Sequence, residues 1–131
     1  MSSPFKSQRG FRRILRAAGY SWQGLKAACS HEAAFRQELW LCVILVPCAI
    51  WVAQSLGQFL LLIASLLFVL TMELINSAIE ALADSISQEF HPLLGRAKDI
   101  GSAAVLLSFM VAACAWLAVL YTNYFSTGLG F

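Results

Sequence analysis

Charge is what this sequence has least of. Asp, Glu, Lys and Arg make up 12% of its 131 residues, while 60% are hydrophobic. A soluble domain of that length needs more polar surface than this to cover a single core. Familiar nucleotide loops are also missing: there is no G-x-x-x-x-G-K-[ST] segment and no glycine-rich kinase loop, so ATP binding would have to use another architecture. None of the four cysteines, Cys29, Cys42, Cys48 and Cys114, forms a C-x-x-C pair, so they read as free thiols acting as small apolar residues. Zinc-finger spacing, base-stacking motifs and a basic groove are absent, and the net charge is only +2, which argues against a nucleic-acid partner. No cleavable secretory leader is expected, because a polar, amphipathic segment precedes the apolar run that opens at Leu39, and the first long helix should anchor the chain.

What the sequence does have is long apolar blocks. Leu39 to Leu56 is eighteen residues, polar only at Gln54 and Ser55 near its end. A second block opens at Phe59 and stays apolar to Met72, and it reaches spanning length only if Glu73 and Asn76 are included. The third, Gly101 to Phe125, is long enough by itself. These blocks predict an all-α integral membrane protein, one domain over 1–131, with transmembrane helices at about 35–56, 59–84 and 99–124. Lys6, Arg9, Arg12, Arg13, Arg16, Lys26 and Arg36 precede the first span, and Arg96 and Lys98 lie between the second and third. The 54–58 turn and the stretch after Ala118 carry no charge. The Lys/Arg bias places the N-terminus and the 84–102 loop in the cytoplasm, and the 54–58 turn and the C-terminus outside.

Before the first span, Phe11, Ile14, Leu15, Ala18, Trp22, Leu25 and Ala28 recur at intervals of three and four. This predicts an amphipathic surface helix over about 11–29, weakened at Gly19 and Gly24, with Trp22 at headgroup depth and the basic residues near anionic lipid. Ser30 is a candidate helix cap, and Glu32 should lie near the cytoplasmic surface.

The second apolar helix ends in "MELINSAIEALAD", residues 72–84. At one hundred degrees per residue, Glu73, Asn76, Glu80 and Asp84 fall within about 80° of arc, flanked by Leu74, Ile75, Ala78, Ile79 and Leu82. Measured from Phe59, Glu73 lies about 21 Å and Glu80 about 32 Å along the axis, so the stripe starts inside the hydrocarbon and climbs into the headgroups. A carboxylate at the depth of Glu73 must face a cavity, a partner or a polar ligand, and it suits a general base. Clustered carboxylates call for positive charge. Mg²⁺, Arg96 and Lys98 are the candidates, and such a set meets the needs of phosphoryl transfer. Spacing alone leaves an enzyme and an ion-translocating or partner-binding subunit equally open.

Four stretches, "RAAGYSWQGLKAA" (16–28), "HEAAFRQE" (31–38), "ELINSAIEALAD" (73–84) and "GRAKDIGSAAV" (95–105), resemble the prokaryotic diacylglycerol kinase family, and the likeness extends from about Phe11 to Tyr124. The resemblance implies a homotrimer with active sites shared between subunits at the cytoplasmic face of the bacterial inner membrane, making phosphatidic acid from diacylglycerol and MgATP. It implies Glu73 as catalytic base, Glu32 and Glu80 as metal ligands that also meet the nucleotide, and Arg13, Tyr20, Glu89, His91, Lys98 and Asp99 at the nucleotide. Asn76 and Asp84 are polar members of the site, and Trp22, Trp51 and Ser102 are candidates for lipid contact. Two positions depart from the best-known members, His31 in place of Asn and Phe90 in place of Tyr, and neither removes a ligand. One branch of the family acts on undecaprenol; the basic amphipathic start and "HEAAFRQE" look more like the diacylglycerol branch.

Overall fold

The computed structural model describes the backbone of residues 4–126 and the side chains of residues 9–126. The Lys6 side chain and the C-terminal end beyond Ser126 lie outside the described residues. Four helices follow in order: α1 (Pro4–His31), α2 (Ala33–Val52), α3 (Leu56–Ile86) and α4 (Pro92–Tyr124). α1 forms one unit, and α2, α3 and α4 form another. The three helices of the second unit are each long and apolar enough to cross a membrane.

α1 runs unbroken through Gly19 and Gly24. Phe11, Ile14, Leu15 and Trp22 are exposed along it, a stripe that a membrane interface would cover. Ser30, a candidate cap, lies inside α1, where its hydroxyl donates to the Lys26 carbonyl one turn back (2.8 Å), and the helix continues to His31.

α2 carries Pro47 in its interior, where the missing N–H leaves the carbonyl of Val43 without its usual helical donor. α2 ends at Val52, and the chain reverses through 53–55 rather than the expected 54–58. Ser55 accounts for the difference. Its extended backbone (φ −146°, ψ 161°) and its hydroxyl, which accepts from the Gln58 amide (3.1 Å), start α3 at Leu56, ahead of the apolar block. At its other end α4 also starts early. His91 caps it through Nδ1, which accepts from the Leu93 amide (3.2 Å), and Pro92 occupies the first turn.

α3 and α4 pack closely along their length, and α2 stands further off. The buried residues of α3 include Leu62, Ser65, Leu66, Val69, Glu73, Asn76 and Ser77, and those of α4 are Gly101, Val105, Ser108, Ala112 and Val119. Small residues dominate the α4 face, so the two backbones can approach without a hydrophobic drive between helices. The buried hydroxyls of Ser65 and Ser108 donate to carbonyls of their own helices at Leu62 (2.7 Å) and Val105 (2.6 Å).

At the end nearest the 53–55 turn, Ala49, Leu62 and Val119 form an apolar core, packed around by Val52, Ala53, Phe59, Ile63 and Trp116. A polar clasp closes this end. Asn123 Nδ2 donates to the Val52 carbonyl (2.8 Å) and to Gln58 Oε1 (2.9 Å), and Gln58 Nε2 donates back to Asn123 Oδ1 (3.0 Å). One side chain thereby satisfies a terminal carbonyl of α2 and ties all three helices together.

Candidate active site

At the opposite end, near the 87–91 loop, the polar stripe of α3 changes character along its length. Glu73 and Asn76 are buried (6% and 7% exposed), Glu80 is half-buried, and Asp84 is exposed. Counted from Leu56, Glu73 lies about 26 Å along the axis and Asp84 about 42 Å, while the hydrocarbon is about 30 Å thick. The stripe therefore begins at membrane depth and ends beyond it.

Glu73 of α3 meets Glu38 of α2, carboxyl against carboxyl. Two bare negative charges side by side inside a membrane are costly, so this meeting calls for a polar or positively charged third party. The second oxygen of Glu38, Oε2, is buried with no hydrogen-bond partner. One turn beyond Glu73, Asn76 Nδ2 donates to Glu80 Oε1 (3.3 Å), while Asn76 Oδ1 and the neighbouring Ser77 Oγ are buried without partners. Gly101 of α4 faces Asn76 so closely that a Cβ there would collide with Asn76 Oδ1. Beyond this contact, Lys98 Nζ of α4 pairs with Asp84 Oδ1 at 2.5 Å.

The structure thus brings Asn76, Glu80, Asp84 and Lys98 together between α3 and α4, with Glu73 one turn away on α3 against Glu38 of α2. Asp99 and Ser102 are exposed on the adjoining flank of α4. Glu89 is exposed in the 87–91 loop, where its amide donates to Ser87 Oγ (3.1 Å). His91 has its Nδ1 engaged as the cap of α4. Trp51 stands 83% exposed at the 53–55 end of α2, remote from Glu73. Arg13, Tyr20 and Trp22 are exposed on α1, and Glu32 follows the same helix, its amide donating to the Ala28 carbonyl (2.9 Å).

Two participants had not been singled out from the sequence. Glu38 immediately precedes the apolar run at Leu39, so it reads as an ordinary charge at a helix end; its signal was a second carboxylate adjoining an apolar block. Gly101 had no such signal, because its role is the space it leaves for Asn76. Among the described residues no three His, Cys, Asp or Glu side chains converge as a preformed metal cluster.

The profile of the family described as "Prokaryotic diacylglycerol kinase" matches residues 19–120. This chain belongs to that family. Among its similar proteins, the diacylglycerol kinase of Escherichia coli K12 is 49% identical over 115 residues, covering 88% of this chain and 94% of that one. The diacylglycerol kinase of Pseudomonas aeruginosa PAO1 is 49% identical over 118 residues, covering 90% and 96%. The one from Helicobacter pylori J99 is 38% identical over 118 residues, covering 90% and 92%. Membership of this kinase family accords with the three apolar helices: the chain is a membrane-embedded kinase that uses ATP.

Proposed function

We propose that this chain transfers the γ-phosphoryl group of ATP to the hydroxyl of diacylglycerol, forming phosphatidic acid, at the cytoplasmic face of the bacterial inner membrane. The observation that carries the reading is the buried Glu73, paired with Glu38 at membrane depth, with Asp84 and Lys98 at the exposed end of the same seam. The lipid alcohol presents its hydroxyl from just inside the bilayer, where Glu73 orients it and accepts its proton. The new bond forms from that oxygen to the γ-phosphorus as the bond to the ADP oxygen breaks. A loose transition state asks little of the nucleophile, so orientation is much of what Glu73 contributes. Lys98 supplies positive charge to the phosphates by exchanging its bond to Asp84 for one to phosphate oxygen.

The donors near the surface suit magnesium. Glu80 offers a hard oxygen at the mouth of the seam, and Mg²⁺ keeps several waters and takes its other ligands from phosphates, so no preformed cluster is needed. When bound, the ion neutralises charge on the phosphate oxygens. Glu80 would hold it, and Glu32 is the other carboxylate proposed for that task. Family membership supports assembly as a homotrimer with shared active sites.

Membranes containing the protein test the activity directly. ADP release from MgATP should require a supplied lipid alcohol, with the γ-phosphate recovered in phosphatidic acid. Release that ignores diacylglycerol would exclude the reading, and release that requires undecaprenol instead would reassign the substrate.

A further inference from the structure

Among the described residues the buried serines are Ser65, Ser77 and Ser108. Ser65 and Ser108 spend their hydroxyl hydrogen on their own helices, at the carbonyls of Leu62 (2.7 Å) and Val105 (2.6 Å). Ser77 does not. It is 8% exposed, and its Oγ is buried with no hydrogen-bond partner. Such a hydroxyl is a standing cost to the fold, because no bulk water reaches it inside a membrane. Its place gives it a use. Ser77 follows Glu73 by four residues and precedes Glu80 by three, about 6 Å and 4.5 Å along the axis, and it lies within about 60° of each around α3. Glu73 is the residue proposed to meet the lipid hydroxyl, and Glu80 the one proposed to hold the metal on the phosphates. A phosphoryl group moving from the one depth to the other passes level with Ser77.

We propose that Ser77 is a further catalytic residue, its hydroxyl donating a hydrogen bond to a non-bridging oxygen of the phosphoryl group as that group moves from ADP to the lipid oxygen. The inference rests on the lipid-kinase reading above. No proton changes hands at Ser77. It keeps its hydrogen, and the bond strengthens as charge spreads over the equatorial oxygens of the transition state. Asn76 Nδ2 is engaged by Glu80 and Lys98 Nζ by Asp84, whereas the Ser77 hydroxyl is uncommitted. A donor already held in place needs no reorganisation at the moment of transfer.

The test compares the unaltered protein with Ser77→Ala, both purified and supplied with dioctanoylglycerol and MgATP. Ser77→Ala should lower kcat about 100-fold, the usual loss for one such donor, while KM for either substrate stays within about twofold. Its thermal midpoint should not fall, because the hydroxyl removed had no partner to leave behind. A second measurement reads the transition state without turnover. Inhibition by ADP with aluminium fluoride, a mimic of the phosphoryl group in transit, should weaken by about tenfold or more in Ser77→Ala, while ADP alone inhibits both proteins equally. A kcat within about threefold of the parental value would overturn the proposal, as would equal weakening of both inhibitors. So would a lowered midpoint with kcat and KM moving together, which would make Ser77 a packing residue. These outcomes leave the kinase reading standing as long as the unaltered protein makes phosphatidic acid; if it makes none from diacylglycerol, that reading falls and this inference with it.

Discussion

Glu38 illustrates what one residue can contribute when its partner is deep. Its carboxyl holds that of Glu73 from the opposite helix. Glu38→Gln retains an N–H that can donate to an ionised Glu73, whereas Glu38→Ala removes the contact. Turnover should fall by about tenfold or more in E38A and distinctly less in E38Q, with MgATP affinity unchanged in both, because misplacing a reacting group is costly. Equal losses in the two variants would remove the positioning role. At the other end of the stripe, Glu80→Gln keeps size and removes charge. Turnover should drop and MgATP binding weaken, and Glu32→Gln should do the same; titrations showing parental MgATP affinity in both would exclude these carboxylates as metal ligands. The acidic stripe itself was legible from spacing, since Glu73, Asn76, Glu80 and Asp84 recur on one helical face. Glu38 was not, because the meeting of two carboxylates on different helices is a tertiary fact.

Elements position these residues, and α3 against α4 is the contact that decides the site. Gly101 admits Asn76, so Gly101→Ala must displace that amide or part the helices. Overpacking of this kind typically costs about 1–3 kcal/mol, and we expect a lower unfolding midpoint together with reduced turnover. Asn123→Ala acts at the opposite end. It frees the Val52 carbonyl and Gln58, and interhelical polar contacts in membranes contribute about 0.6 kcal/mol on average, up to about 1.7. The midpoint should fall by that order while activity per folded molecule holds; lost catalysis at an unchanged midpoint would contradict a purely structural clasp. The existence of three apolar helices was plain from the sequence. Their ends were less so, because Ser55 and His91 start α3 and α4 through side-chain caps that lie outside the apolar runs.

Across the whole molecule, function follows from depth. Apolar residues cover most of the outside of α2, α3 and α4, as a lipid solvent requires, while Ser65, Glu73, Asn76, Ser77 and Ser108 are the polar side chains buried among the described residues. Light scattering on the purified protein should give a trimer, and a fully active monomer would contradict shared sites. The same depth argument separates two tasks in the proposed function: the exposed end is the part proposed to handle MgATP, and Glu73, seven residues or about 10 Å deeper than Glu80, the residue proposed to meet the lipid hydroxyl. Glu73→Gln tests this separation most directly, with nucleotide affinity and turnover measured on one purified, trimeric sample. The account predicts near-parental MgATP binding with lipid phosphorylation slowed at least ~100-fold, within the usual range for a lost general base. Binding and turnover collapsing together would move Glu73 into the metal shell, and turnover near the parental rate would show that the base lies elsewhere.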